Sequence, residues 1–314
     1  MPKVAIIANP HSKSNRDNPN FLRELEASAS TNQQICITDD LDDLKKTVPR
    51  LIDEGTEIIG ICGGDGSILH VVNLIYHHAR KSLPCKIAVL GGGTMNTVAK
   101  SLGLRFGYKE ACQRFLKMTQ DSDSSDELPA TTIHPIIVED RLGFLYADGS
   151  FVRILEQFYE NKGGLKEVAG LSFKLIVSAL VQSKFFRSIV LDHPIKVSGA
   201  SKEVLMDAKS LGVIAASIDT LPLNFPLLAK RPENSLDFQL LTVNCKPNQL
   251  LYYLPWLMVS AKDRSSKLRF FKRGESFVVT AAEPFTYTLD GEVFKSKKNT
   301  LSLERGPELA IVTI

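Results

Sequence analysis

Long apolar runs are missing from this chain of 314 residues, and so is any strong imbalance of charge. No stretch reaches the roughly 20 apolar residues that a bilayer-spanning helix needs. The 38 Lys and Arg nearly match the 35 Asp and Glu, and a formal charge of +3 is too small to argue for nucleic acid as a partner. Cysteine is scarce: Cys36, Cys62, Cys85, Cys112 and Cys245 are odd in number and widely spaced. They fit neither a disulfide framework nor a zinc pattern. Cys36 and Cys62 lie in strand-like runs and read as buried thiols, which fits a reducing, cytoplasmic setting. Internal repeats and extended low-complexity segments are also lacking. The first apolar run, Val4 to Ala8, is too short for the core of a signal peptide and reads as a first strand. These absences leave a globular chain, long enough for one large or two ordinary domains.

Two glycine-rich turns stand out. The first is Gly63-Gly64-Asp65-Gly66-Ser67, after the apolar run Ile58 to Cys62. The second is Gly91-Gly92-Gly93-Thr94-Met95-Asn96, after Ile87 to Leu90. Helical spacing follows each, from Ile68 to His78 and from Val98 to Leu102. A strand, a glycine loop and a helix N-terminus together make an anion cradle, because the first N–H groups of a helix are unpaired and carry partial positive charge. Two such cradles on neighbouring strands suit a polyphosphate. The acid inside the first turn would repel phosphate unless Mg²⁺ stands between them, so the pattern favours a metal–nucleotide site over a plain turn.

The elements around these turns alternate. Lys3 to Ala8 reads as a strand ending in the turn Asn9-Pro10-His11-Ser12. Phe21, Leu22, Leu25 and Ala29 form a helical stripe, Ile35 to Thr38 a second strand, and Leu41, Leu44, Val48 and Leu51 another helix, with Asp39 or Asp40 as its cap. Strands alternating with helices imply a mostly parallel sheet covered on both faces. The polar, acidic run from Thr119 to Glu127 reads as a loop at a domain boundary. Beyond Pro129 the runs Thr131 to Val138, Phe144 to Ala147, Ile189 to Leu191, Leu211 to Ser217 and Phe238 to Val243 read as strands without regular helices between them. This favours an antiparallel sandwich. Helical spacing interrupts it at Leu165 to Phe186 and at Asn248 to Ser260, and both stretches read as core helices. Leu171, Leu175, Ala179 and Leu180 could otherwise line a route for an acyl chain. The basic run Lys262, Arg264, Lys267, Arg269, Lys272 and Arg273 reads as a solvated face, suited to anionic headgroups if the substrate is a membrane lipid.

The two turns resemble the motifs of the diacylglycerol kinase catalytic domain family, found in bacterial lipid kinases, sphingosine kinases and ceramide kinases. Gly63 to Ser67 is similar to its GGDGT signature, with Ser67 for Thr. Gly91 to Asn96 is similar to P-x-G-T-x-N-D: Gly93, Thr94 and Asn96 match, Gly91 stands for Pro and Thr97 for Asp. Asn9-Pro10-His11-Ser12 resembles the N-terminal N-P-x-S/A-G segment, without its glycine. Tyr287-Thr288-Leu289-Asp290-Gly291-Glu292 resembles the C-terminal D-G-E motif, although Asp-Gly is also a strong hairpin signal by itself. The stretch Arg231 to Asp237 resembles a Mg²⁺-binding D-G-x-L-D element, but Asn234 and Ser235 replace its first two residues.

The resemblance implies an α/β fold with an N-terminal Rossmann-like, three-layer nucleotide domain over residues 1–128. A C-terminal β-sandwich-like domain over 129–305 would bind lipid, and a last strand at about 306–314 would return to the first domain. It implies an ATP-dependent lipid kinase that needs Mg²⁺ and phosphorylates a hydroxyl of diacylglycerol or a related lipid between the two domains. Asn9, Thr38, Gly63, Gly64, Gly66, Ser67, Gly92, Gly93, Thr94 and Asn96 would hold ATP. Asp65 would hold Mg²⁺ directly or through water, Asp290 would take the acceptor's proton, and Glu292 would orient it or share the metal. Peripheral contact with a membrane surface follows from a lipid substrate, and homodimer formation stays open. An NAD kinase shares the GGDG turn, but the second motif here is of the lipid-kinase type. A lipid- or nucleotide-binding regulator with lapsed catalysis is the remaining alternative, and the retained Asp65, Asp290 and Glu292 speak against it.

Overall fold

The computed structural model describes residues 1–93, 96–102, 104–160, 183–219, 221, 228–230, 235–250, 252–253 and 265–314. The chain divides into two units, Met1–Pro135 with Gly306–Ile314, and Ile136–Arg305.

The first unit is built on strands β1 (Val4–Ala8), β2 (Gln33–Ile37), β3 (Ile58–Gly63), β4 (Lys86–Gly92) and β5 (Ala130–Ile133), with a C-terminal strand, Leu309–Val312. They lie in the order β2-β1-β3-β4, C-terminal strand, β5. All neighbours are parallel except β5, which runs antiparallel to the C-terminal strand. Every residue of β1 and β3 is buried, as expected for strands covered on both faces. Side chains alternate between those faces. Val4, Ile6 and Ala8 pack with Phe21, Leu22 and Leu25 of helix Phe21–Ser28 and with Cys112, Phe115 and Leu116 of helix Tyr108–Asp121. Helices Leu41–Asp53 and Asp65–His78 pair with each other, the latter against β3. The first of these starts at Asp40, whose carboxylate accepts the Asp43 N–H at 2.8 Å, a cap worth about 1 kcal/mol. Where the strand order turns back, between β1 and β3, their carboxyl ends bring Asn9 beside Gly63. That is the position where open α/β sheets bind ligands.

The second unit contains two antiparallel sheets. One runs β10-β9-β14-β17-β6-β7, from strands β6 (Ile136–Val138), β7 (Arg141–Gly143), β9 (His193–Gly199), β10 (Val204–Ser210), β14 (Ser276–Ala281) and β17 (Thr300–Arg305). The other runs β13-β12-β11-β8-β15-β16, from β8 (Leu145–Asp148), β11 (Val213–Ala216), β12 (Phe238–Val243), β13 (Arg269–Gly274), β15 (Thr286–Leu289) and β16 (Glu292–Lys295). Val138, Ile195, Val197, Phe277, Val279 and Leu303 from the first sheet share one core with Tyr146, Val213, Phe238, Leu240, Tyr287 and Leu289 from the second. This is a sandwich: each strand turns every other side chain inward.

The structure departs from the sequence expectations in three places. The run Thr131 to Val138, read as one strand beyond the domain boundary, is two strands: Ala130–Ile133 pairs in the first unit's sheet and Ile136–Val138 in a sheet of the second unit. Ile189 to Leu191 is not a strand, because Ile189 closes the short helix Lys184–Ile189, started by the Ser183 hydroxyl on the Phe186 N–H. In the basic run, Arg269 is 1% exposed and so belongs to no solvated face, whereas Lys267 and Lys272 are exposed. Lys262, Arg264, Asn234, Leu171, Leu175, Ala179 and Leu180 lie outside the described residues, as do most of the two helical stretches that contain them. Among the described residues, no helix is long and apolar enough to cross a membrane.

Candidate nucleotide site

The two glycine turns pack directly on one another. A Cβ built on Gly93 would stand 2.6 Å from the Cα of Gly64, and one on Gly64 would stand 3.3 Å from the Cα of Gly93. Backbone is against backbone, so no flexible side chain can yield. Gly92 combines this crowding, 3.3 Å to the Gly63 nitrogen, with a φ of +125°, where other residues are strained. Gly64 itself has φ −86°, so it is the contact with Gly93 that requires a glycine there.

Asp65 ties the turns together. Its Oδ2 accepts the N–H of Thr97 at 2.8 Å and its Oδ1 the N–H of Val98 at 3.1 Å. The acid of the first turn thus caps the helix Thr97–Ser101 that follows the second. Burial pushes its carboxyl above the usual range, opposed by those N–H bonds. Asn96 closes the second turn from within: it sits at φ +50°, ψ +44° and its Oδ1 accepts the Gly93 N–H at 2.9 Å. Asn tolerates this left-handed conformation better than most residues.

Asn9 faces the first turn from the end of β1. Its N–H donates to the Cys62 carbonyl, and its Nδ2 donates to the Ser67 hydroxyl at 3.3 Å. Its Oδ1 accepts the His11 N–H at 2.9 Å. Thr38, buried at the end of β2, donates its N–H to the Ala8 carbonyl. Asn9, Thr38 and Ser67 line one cleft of about 250 Å³, together with His11, Asp39, Leu41 and His70. Gly63, Gly64, Gly66, Ser67, Gly92, Gly93 and Asn96 are therefore local to one another, while Thr94 lies outside the described residues.

Residues not singled out from the sequence support this arrangement. Asn15, 2% exposed, donates from Nδ2 to the Asn9 carbonyl at 2.6 Å and accepts the Tyr108 hydroxyl. The Ser12 Oγ is buried with no hydrogen-bond partner among the described residues, and it stands 3.3 Å from where a Cβ of Gly92 would be. Ser12 could have been drawn from the Asn-Pro segment, but Asn15 and Tyr108 carry no local signal.

Asp290 and Glu292 belong to the second unit. Asp290 at φ +50° and Gly291 at φ +99° form the turn between β15 and β16, so the hairpin expected of Asp-Gly is there. The carboxylate does more than support the turn. It accepts the N–H groups of Phe144, at 3.1 and 3.0 Å to its two oxygens, and of Leu145, at 2.8 Å. Glu292 opens β16 and is exposed.

Residues 3–124 match the diacylglycerol kinase catalytic domain. A solved diacylglycerol kinase of Bacillus anthracis str. Sterne is 15% identical and aligns over 99% of this chain and 97% of its own, with a TM-score of 0.67. A candidate diacylglycerol kinase from the same organism aligns over the same shares, at 15% identity and a TM-score of 0.72. At such identities the likeness shows a common two-domain fold. Comparison with curated proteins gave no match. A match to a kinase's catalytic domain supports a phosphotransferase.

Proposed function

We propose that the chain is an ATP-dependent lipid kinase that phosphorylates a hydroxyl of diacylglycerol or a related lipid with the help of Mg²⁺. The locked pair of glycine turns carries the nucleotide half of this reading. Helix Asp65–His78 starts inside the first turn, so the N–H groups of Asp65 and Gly66 precede its first internal bonds and are free to meet phosphate oxygens. Asn9, Thr38 and Ser67 line the adjoining cleft as polar contacts for the rest of the nucleotide.

Phosphoryl transfer asks a protein mainly for positioning and for neutralising charge. Among the described residues no group of three or more metal-ligating side chains converges. Mg²⁺ keeps much of its water and is commonly held by one or two carboxylates with the substrate's phosphates. Asp65 fits the part through water: its two oxygens offer about four acceptor sites, and the N–H groups of Thr97, Val98 and Ala99 take three. The ion would supply neutralisation of phosphate charge. Asp290 would take the proton of the acceptor hydroxyl, help of a kind worth about 10²–10⁴-fold.

The lipid half rests on the family match and on the motif resemblance. Exposed Lys267 and Lys272 would favour anionic headgroups at a cytoplasmic membrane surface, at about 1 kcal/mol per well-placed charge. The test is transfer from γ-labelled ATP with Mg²⁺ to a panel of lipids in mixed micelles, with glycerol and NAD as soluble acceptors. Label should enter the organic extract, with diacylglycerol the first candidate. A soluble acceptor that outperforms every lipid would overturn the reading.

A further inference from the structure

The first glycine turn hangs from Cys62, and Cys62 is paired. Its Sγ lies 3.8 Å from the Sγ of Cys112, in the core between β3 and helix Tyr108–Asp121. Both thiols are fully buried, so a peroxide reaches them only when helix Tyr108–Asp121 opens locally from β3. Cys62 is followed at once by Gly63 and Gly64, its carbonyl accepts the Asn9 N–H, and it pairs with Gly91 of the second turn. A few ångströms of movement at this sulfur therefore reach both turns and Asn9.

We propose that Cys62 and Cys112 form an oxidation site for a hydroperoxide, and that the disulfide made there weakens nucleotide binding at the turns. The regulatory half rests on the nucleotide site proposed above; the oxidation site does not. A disulfide has an S–S length of about 2.05 Å, so the two sulfurs must close by roughly 1.8 Å. Closure draws the end of β3 toward the helix, and the Gly64–Gly93 contact has no slack to absorb the shift.

The surroundings distinguish the two thiols. The neighbouring Cys112 thiol, ahead of the polar groups of Tyr108 and Asn15, holds Cys62 below the usual thiol range against its burial. The same contact pushes Cys112 upward, with burial second. Cys62 is the thiol held down, and the Cys112 sulfur, 3.8 Å away, is within reach to resolve it. Burial pushes Cys85 up to about 12 and Cys245 up to about 11.

The steps balance. The Cys62 thiolate attacks a peroxide oxygen, so an S–O bond forms, the O–O bond breaks, and hydroxide leaves to take up a proton as water. The Cys112 sulfur then attacks the Cys62 sulfenic acid. The S–S bond forms and the S–O bond breaks, and the second hydroxide leaves as water with the Cys112 proton. Two thiols lose two electrons, and one peroxide becomes two waters.

The experiment oxidises the full chain with hydrogen peroxide, alkylates the remaining thiols after unfolding, and maps the peptides by mass spectrometry. A Cys62–Cys112 linkage, reversed by dithiothreitol, is expected. Five alkylated cysteines, or a linkage elsewhere, would overturn the site. In parallel, a fluorescent ATP analogue should bind the oxidised protein at least tenfold more weakly than the reduced one, with affinity restored by dithiothreitol. Cys112→Ser and Cys112→Ala should abolish that reversible loss, and two substitutions guard against one that merely loosens the core. Unchanged affinity with the disulfide in place would overturn the regulatory half. If the reduced protein binds no nucleotide, the kinase reading and this regulation fall together, and the mapped disulfide stands alone.

Discussion

The carboxylate of Asp65 reaches across from the first glycine turn to the N–H groups of Thr97 and Val98, at 2.8 and 3.1 Å, and so fixes one turn against the other. Asp65→Asn leaves only one oxygen to accept, and its amide NH₂ then faces a backbone donor. The expected result is a stability loss of about 1–2 kcal/mol, the size of a lost helix cap, with a much larger loss of nucleotide affinity. Thermal unfolding and ATP-analogue titration measure the two effects separately. Wild-type affinity in this variant would show that the tie does not position the site.

Gly93→Ala and Gly64→Ala should differ in degree. The added methyl meets backbone at 2.6 Å in the first and at 3.3 Å in the second. Overpacking of the first kind costs about 1–3 kcal/mol and would force the turns apart. Gly93→Ala should therefore lower the unfolding temperature and nucleotide affinity clearly, and Gly64→Ala less. The reverse order would contradict the loop-on-loop contact.

For Asp290 the structure sharpens what a substitution tests. The Oδ1 of Asp290 accepts from both Phe144 and Leu145, so Asp290→Asn can keep these bonds through its remaining oxygen. Unfolding temperature and nucleotide affinity should stay near wild type, while turnover falls by about two orders of magnitude or more because an amide cannot take the proton. Turnover near wild type would confine Asp290 to its hairpin.

A pH dependence is built into the second unit. Asp148 is fully buried, with Oδ1 on the Val213 N–H at 2.7 Å and Oδ2 on the Tyr146 hydroxyl at 2.8 Å. Burial pushes its carboxyl up to about 7. A raised native value means that the folded state holds this proton more tightly than the unfolded chain. Its contribution to stability is thus full below the ordinary carboxylate range, falls as pH rises toward about 7, and then levels off. Asp148→Asn imitates the protonated form and should flatten that fall. Unfolding temperatures followed from about pH 4 to about pH 8 should show the two proteins diverging as pH rises. Parallel curves would remove Asp148 as the cause.

Much of this was legible locally. The alternation of strand and helix in the first hundred residues, the cap at Asp40 and the Asp-Gly hairpin each follow from neighbours in sequence. The glycines were legible as glycines, but not as partners of each other, because the contact between Gly64 and Gly93 depends on β3 and β4 lying side by side. The same holds for Asp65, whose N–H donors lie more than thirty residues away. The aliphatic run Ile189 to Leu191 misleads because a strand and the end of a short buried helix use the same residues. Charge misleads at Arg269, where position in β13 overrides the preference of guanidinium for water. Nothing local announces Asn15, whose value lies in reaching the Asn9 carbonyl.

The central claim is that the two turns act as one nucleotide cradle, and backbone hydrogen exchange tests it most directly. On adding ATP and Mg²⁺ to the full chain, peptides spanning residues 58–70 and 86–102 should both slow their exchange, with the segment around Asn9 slowing as well. Protection confined to one turn, or found only in the second unit, would contradict the account.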